Sequence, residues 1–288
     1  MIYHTYPFIF NVKMNNLKLA LCQMNVIDNK KENLKTASSM IAESVENNAD
    51  FIVLPEMFNC PYSNEKFIEY CESETNSQTL TAISDLALKN NVYILAGSIP
   101  EKEDDELFNT SYLFDRNGKI IAKHRKMHLF DIDVKDKIYF KESDVLTAGD
   151  NFTIAETEFG KIGIGICYDV RFPELARIMV ESGAKILFYP GAFNMTTGPA
   201  HWELLFRTRA LDNQVFCVGV APALNKEASY HSFGHSIIAN PWGEIIAEAD
   251  EKEQLIIKEI DLSELEKTRE ELPLLLNKRE DLYEIIKK

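Results

Sequence analysis

The sequence predicts an α/β fold, and three observations carry that reading. Short apolar stretches alternate along the chain with stretches of helical periodicity. The run Phe51–Leu54 is apolar at every position, which suits a strand covered on both faces. Gly160–Glu174 joins the two kinds of element. Ile162, Ile164 and Ile166 alternate as a strand, Cys167 follows, and Pro173 opens a helix that continues through Val180 to Gly183. Gly163 and Gly165 leave the opposite face of that strand open to close approach by another layer. Open α/β sheets place their chemistry at strand ends of this kind.

In chain order, Leu17–Met24 is a strand, and Asp28 is read as the cap of a helix with Leu34, Ala37, Ile41 and Val45 on its apolar face. Pro55 and Glu56 end the strand Phe51–Leu54. A loop with Pro61 follows, then a helix through Leu80–Leu88 and a strand at Val92–Gly97. Asn109–Phe114 and Lys119–His124 flank Asn117-Gly118, a strong hairpin signal. The second half repeats the theme. Phe152–Thr157 and Lys161–Ile166 form a hairpin, the helix after Cys167 leads to the strand Lys185–Tyr189, and His201–Asn213 is a helix. Strands at Val215–Ala221, His235–Ala239, Glu244–Glu248 and Gln254–Ile260 precede a short helix, Leu262–Glu271. No linker or low-complexity segment divides the chain, so residues 14–288 are expected to form one domain with two similar halves. Residues 1–13, ahead of Met14, are expected to be an extension, with neither a basic leader nor a cleavage site that would make them a signal peptide.

Composition narrows the function. A domain built from 288 residues buries about three quarters of its unfolded surface. The 45% hydrophobic and 26% charged content is that of an ordinary soluble protein. A net charge of −14 argues against nucleic acid and anionic membrane as partners, and no apolar run approaches a membrane span. Any anionic substrate must then be captured by a local cation. Cys22, Cys60, Cys71, Cys167 and Cys217 are odd in number and lack metal or disulfide spacing, which points to a reducing, cytoplasmic setting.

Cys167 taken alone is either a core thiol or a nucleophile, since free cysteine is among the most buried residue types. Two other motifs fall away. Gly163 and Gly165 lie inside a strand with Tyr168 where a dinucleotide fingerprint needs its third glycine, and no G-x-S-x-G occurs. Glu56 stands just past one strand end and Lys126 just past another; singly, each also reads as a solvated loop residue, and so does Glu142. Together an acid, an amine and a thiol on strand ends match the needs of amide hydrolysis. A carboxylate takes the thiol proton and returns it to the leaving ammonia. A fixed cation or amide donor meets the oxyanion, a contact worth roughly 3 kcal/mol in the transition state. No histidine, metal or cofactor is needed.

The blocks Phe51–Glu56, His124–Asp131 and Gly165–Leu175 resemble the three catalytic blocks of the nitrilase superfamily of carbon–nitrogen hydrolases, and the match runs from about Leu17 to the end of the chain. The resemblance implies a four-layer α-β-β-α sandwich. It also implies that Glu56 is the base, Lys126 the oxyanion cation, Cys167 the nucleophile and Glu142 a second, positioning glutamate. The backbone N–H of Tyr168 would complete the oxyanion site.

Finer features, Phe58–Tyr62, His128–Asp133 and Gly191–Trp202, resemble the omega-amidase branch, which removes the terminal amide of 2-oxo acids such as 2-oxoglutaramate and 2-oxosuccinamate. That likeness implies a small anionic amide substrate, with Arg171, Phe193 and Thr197 as contacts and Tyr62 lining the pocket. It also implies a homodimer, and the apolar tail Pro273–Tyr283 suits such an interface. Met57 departs from the cysteine common at its position. Arg171 has a structural alternative, pairing with Asp169 or Glu174. Within the superfamily, a deaminated glutathione amidase or an N-carbamoyl amidohydrolase is the alternative activity. Outside it stand a non-catalytic interaction protein and a metal site of His124, His128, Asp131 and Asp133. On extended chain, however, residues four apart lie about 13 Å apart, too far to share one ion.

Overall fold

The structure, a computed structural model, describes residues 15–135 and 138–286; the predicted extension 1–13 lies outside them. The first half of the chain builds β1 (Asn16–Gln23), α1 (Lys30–Glu46), β2 (Phe51–Val53), α2 (Asn64–Tyr70), α3 (Gln78–Asn90), β3 (Tyr93–Glu103), β4 (Glu106–Phe114) and β5 (Ile120–Arg125). A small hairpin of β6 (Asp131–Val134) and β7 (Ile138–Lys141) follows. The second half builds β8 (Thr153–Thr157), β9 (Gly160–Ile164), α4 (Pro173–Glu181), β10 (Ile186–Pro190), α5 (Gly198–Asn213) and β11 (Phe216–Val220). It ends with β12 (Ile237–Ala239), β13 (Ile245–Glu248), β14 (Gln254–Asp261) and α6 (Glu264–Glu271).

Among the described residues these strands form two six-stranded sheets, ordered β14-β1-β2-β3-β4-β5 and β13-β12-β11-β10-β9-β8. In the middle of each lie three parallel strands, β1 to β3 in one and β9 to β11 in the other. Antiparallel strands extend both edges. β14 comes from the second half yet pairs with β1, from Asn16 opposite Asp261 to Gln23 opposite Gln254, and so closes the first sheet.

Side-chain alternation sets the layers. Leu17, Leu19 and Leu21 point into the core shared with the second sheet, beside Phe51, Val53 and Leu95. Ala20 and Cys22 face the other way, with Ile52 and Leu54, onto Leu34 and Ile41 of α1 and Leu80 and Ile83 of α3. On the far side, Met179 of α4 packs where a Cβ at Gly163 would lie 2.9 Å from its sulfur, and Phe206 of α5 packs as closely on Gly219. The close approach expected at Gly163 is therefore made by a helix layer. Four layers, α-β-β-α, result. Between the sheets the rings of Phe51 and Phe188 stack at 4.8 Å and 5°.

Two local expectations are corrected, and one element is added. Asn29, not Asp28, caps α1, its side chain accepting from the Glu32 N–H at 3.2 Å. Asp28 instead accepts from Tyr70 Oη at 2.6 Å and pairs with Lys66 at 2.8 Å. The stretch after Pro61 is not all loop, for it holds α2, capped by Ser63; seven residues are too few to display a period. The β6–β7 hairpin also went unread, because three of its eight strand residues are charged and its strands are only four residues long.

Phe51→Ala should open a cavity between the sheets and lower the free energy of urea unfolding by about 3–5 kcal/mol. A loss below about 1 kcal/mol would show that the stack does not hold the sheets together.

Candidate active site

Cys167 begins a tight 3₁₀ turn, Cys167–Arg171, between β9 and α4. Its φ is +47°, in the left-handed region that a residue with a Cβ adopts at a cost on the order of 1–2 kcal/mol. Neighbours hold it there. Asp169 accepts from the Ile166 N–H at 2.9 Å with its side chain and from the Phe172 N–H at 3.1 Å with its carbonyl. At Gly191 even a Cβ would come within 3.1 Å of Cys167 Cα, so only glycine leaves the turn its room.

Glu56 follows β2 and Lys126 follows β5. Asn109, on β4, ties them: its Nδ2 donates to Glu56 Oε1 at 2.8 Å and its carbonyl accepts the Lys126 N–H at 2.9 Å. Lys126 Nζ lies 3.0 Å from Glu56 Oε1, with Glu142 Oε1 at 2.9 Å and Oε2 at 2.8 Å. All three side chains are fully buried. Glu56 Oε2 accepts the Ala192 N–H at 2.7 Å, and Glu142 Oε2 accepts the Phe130 N–H at 2.6 Å. Tyr62 Oη donates to Glu142 at 2.6 Å and lies 3.3 Å from Glu56. Beside Glu56 a cavity of about 30 Å³, bounded by Tyr62, Cys60, Tyr230 and Ser232, has room for a water or an ammonia molecule.

Charge in this site is set by burial and by the two carboxylates. Burial works against the Lys126 ammonium, but Glu142 and Glu56 outweigh it and hold Lys126 well above the ordinary lysine value. Burial and then the Glu56 charge push the Cys167 thiol well up, against the pull of Lys126. Burial and the same two carboxylates keep Tyr62 a neutral donor. The thiol is thus held protonated beside the carboxylate that can take its proton.

His124 and His128 flank Lys126, and both reach Asp169. Asp169 Oδ2 takes His124 Nε2 at 3.0 Å, while Oδ1 takes the His128 N–H at 3.0 Å and His128 Nδ1 at 2.7 Å. Despite its burial, these bonds hold the Asp169 carboxyl well below the usual range. The two histidines of the imagined metal site are spent on this carboxylate. It buckles the Lys126 strand of one sheet to the Cys167 turn of the other.

The remaining predicted residues divide. Arg171 does not pair with Asp169 or Glu174. Its guanidinium lies over the Phe193 ring at 4.6 Å and the Tyr168 ring at 5.5 Å, and Nη1 donates to His201 Nδ1 at 3.2 Å. Phe193 is buried against Trp202. The Thr197 hydroxyl is turned to Asn194 Oδ1 at 3.3 Å, and Thr197 is not brought to the carboxylates. Sequence reasoning passed over Tyr230, whose ring stacks on Tyr62 at 4.6 Å and whose hydroxyl bonds the Ala192 carbonyl, and no pattern around it marks it. It also passed over Asn109, and it weighed Asp169 only as a partner for Arg171. An amide opening an apolar strand and an acid two residues past the thiol were the signals available.

An acid, an ammonium and a thiol converging on strand ends of an α-β-β-α sandwich define a hydrolase of carbon–nitrogen bonds, and the chain belongs to the carbon–nitrogen hydrolase family, which it matches over residues 18–270. Nitrilase homolog 2 of Dictyostelium discoideum is 49% identical over 93% of this chain and 82% of that protein. The human omega-amidase NIT2 is 45% identical over 94% of this chain and 98% of its own. Among solved structures, Saccharomyces cerevisiae Nit3, a member of branch 10 of the nitrilase superfamily, superposes with a TM-score of 0.85 at 40% identity, covering 92% of this chain and 97% of that one.

Asp169→Asn leaves too few acceptors for the donors that converge on it and should lower stability at pH 7 by about 2–4 kcal/mol. The folded Asp169 carboxyl titrates below its unfolded value, so its contribution is complete above the unfolded pKa near 4 and fades as pH falls toward the folded one. Urea unfolding at a series of pH values should show the gap between variant and wild type narrowing below about pH 4. A constant gap would mean the carboxylate charge plays no part.

Proposed function

We propose that this protein is an omega-amidase. It hydrolyses the terminal amide of 2-oxo acid amides, 2-oxoglutaramate and 2-oxosuccinamate, to the 2-oxo dicarboxylate and ammonia through a thioester on Cys167. One observation carries the reading: beside the Glu56–Lys126–Cys167 cluster stands an arginine, Arg171, with no carboxylate partner among the described residues. A guanidinium left in that state suits a substrate that brings its own carboxylate. The omega-amidases among the relatives, 44–47% identical to this chain, support the same substrate class.

The steps follow from the geometry. As Cys167 Sγ attacks the amide carbon, its proton passes to Glu56, and the carbonyl oxygen gains a negative charge opposite the Lys126 ammonium and the Tyr168 N–H. Collapse breaks the carbon–nitrogen bond, and Glu56 gives its proton to the departing ammonia. A water in the cavity beside Glu56 then loses a proton to it and attacks the thioester. Glu56 returns that proton to the Cys167 sulfur as the acid leaves. Glu142 and Tyr62 take no proton; they hold Lys126 and Glu56 in place. Phe193 supports Arg171 from below, and Thr197 serves the pocket by fixing the Asn194 turn ahead of α5.

A homodimer in the cytoplasm belongs to the same reading. Leu276 is 83% and Leu282 68% exposed in the tail, and Leu204 on α5 is 65% exposed. Such apolar surface fits a second subunit. All five cysteines are free, as a reducing compartment requires. Ending the chain after Leu272 should weaken the dimer or lower its melting temperature by several degrees; light scattering that still finds an equally stable dimer would remove the tail from the interface.

Ammonia release should be fastest with 2-oxoglutaramate in a panel that includes succinamate, glutamine, deaminated glutathione, a carbamoyl amino acid and a nitrile. Cys167→Ala should lower kcat/KM by on the order of 10⁴-fold or more with the fold intact. Mass spectrometry of the trapped wild-type enzyme should find the acyl group on Cys167 and none on Cys22, Cys60, Cys71 or Cys217. Near-normal turnover in Cys167→Ala would falsify the mechanism, and faster turnover of another panel member would replace the substrate.

A further inference from the structure

We propose that His201 is the positioning residue that aims Arg171 at the substrate carboxylate, an inference that rests on the anionic-substrate reading above. The two aromatic contacts of Arg171 fix the plane of the guanidinium but not its rotation within that plane, because stacking on a ring face has little directionality. The directional contact is the bond from Nη1 to His201 Nδ1 at 3.2 Å. Arginine only donates, so His201 accepts, with its own proton on Nε2.

The choice of a neutral acceptor has a consequence. An aspartate or glutamate in this place would orient Arg171 but cancel the charge that the substrate must find. An imidazole nitrogen orients the fork and leaves its charge intact. The fork is also left unsaturated: Arg171 Nε is buried and meets no acceptor among the described residues. Asp169, two residues away, is already committed to His124, His128 and the Ile166 N–H.

One helix controls both ends of Arg171. Arg209 of α5 donates from Nε to the Val170 carbonyl at 2.8 Å and from Nη2 to the Arg171 carbonyl at 3.1 Å, which fixes the backbone. His201, two turns earlier on the same helix, fixes the tip. The helix itself is anchored by Trp202, which is buried and donates from Nε1 to the His235 carbonyl at 2.6 Å. Holding the guanidinium in advance spares the substrate the cost of ordering a long side chain.

The test compares kcat/KM for 2-oxoglutaramate with that for pentanamide, a neutral amide of similar length. In His201→Leu the ratio should fall about tenfold, the size of one lost hydrogen bond to a charged group, and mostly through KM. His201→Asn should restore it, because Asn Oδ1 sits the same number of bonds from the backbone as His Nδ1. His201→Gln, whose oxygen is one bond further out, should not. In Arg171→Met the ratio should fall further, and adding His201→Leu to that variant should change it no more, since the two act as a unit. An unchanged ratio in Arg171→Met would overturn the anionic-substrate reading and this inference with it. A fall in Arg171→Met with none in His201→Leu would overturn the role of His201 alone. Equal loss on both substrates in His201→Leu, with no rescue by asparagine, would make the histidine merely structural.

Discussion

Lys126 carries a positive charge with no solvent around it, and much of the site follows from that one constraint. A buried ammonium is tolerated only when it is paired and all its donors are used. Two carboxylates on different loops meet it within 3.0 Å. Burial, and after it the charge of Glu56, raises the thiol beside this cluster against the pull of Lys126. The resting thiol is therefore not a thiolate waiting for substrate. In the mechanism proposed above its proton moves to Glu56 as the carbon–sulfur bond forms, when the new negative charge develops on the substrate oxygen near Lys126. The ammonium thus serves the transition state more than the ground state, which is the condition for raising rate.

Positioning is the second constraint, because the participants come from both sheets. Glu56 and Lys126 hang from the first sheet and Cys167 from the second. Two packed sheets can slide by fractions of an ångström, and misplacement of that order weakens catalysis. Asp169 removes the freedom: its side chain binds the Ile166 N–H at the Cys167 turn and both histidines beside Lys126. The left-handed backbone at Cys167 costs some stability, and the same carboxylate helps hold it. Asn109 does the corresponding work within the first sheet, where one residue holds the Glu56 side chain and the Lys126 backbone.

Much of this is legible in the sequence for identifiable reasons. Strands of the first half declare themselves through β-branched and aliphatic runs ended by Pro55 or Asn117-Gly118, and Gly118 does adopt positive φ. Cys167 stands out because a reactive side chain follows directly on an apolar strand, whereas Glu56 and Lys126 are legible only as strand-end partners taken together with it. The layering on Gly163 is legible because a missing Cβ is information about what packs there. What escaped depends on contacts between distant residues. Nothing near Gln254 says that β14 will cross to pair with β1, since either sheet edge would satisfy its hydrogen bonds. His124 and His128 suggested a metal only because the carboxylate that occupies them lies more than forty residues away. Tyr230 reaches the site from a loop without periodicity, and Asn29 displaced Asp28 as cap because a tertiary contact from Tyr70 claims Asp28.

Electrostatics across the whole chain sharpens the meaning of Arg171. With a net charge of −14, the protein repels anions at long range, so attraction for a carboxylate has to be local. At about 8 Å of screening length in physiological salt, charges beyond the pocket contribute little once the substrate is inside. Inside, burial pushes the Arg171 pKa down from its ordinary value, and a guanidinium keeps its charge in proteins. A half-buried guanidinium supported by rings and a neutral nitrogen is short of counter-charge. Carboxylates of the protein itself are kept from it, Asp169 by two histidines and Glu56 and Glu142 by Lys126. The acidic side chains of the site are each assigned a cation or a set of donors, and among the described residues Arg171, four positions past Cys167, is left without a carboxylate. On the proposed reading, selectivity for an acidic amide comes less from adding an attractive group than from denying that group, among the described residues, a carboxylate that would neutralise it.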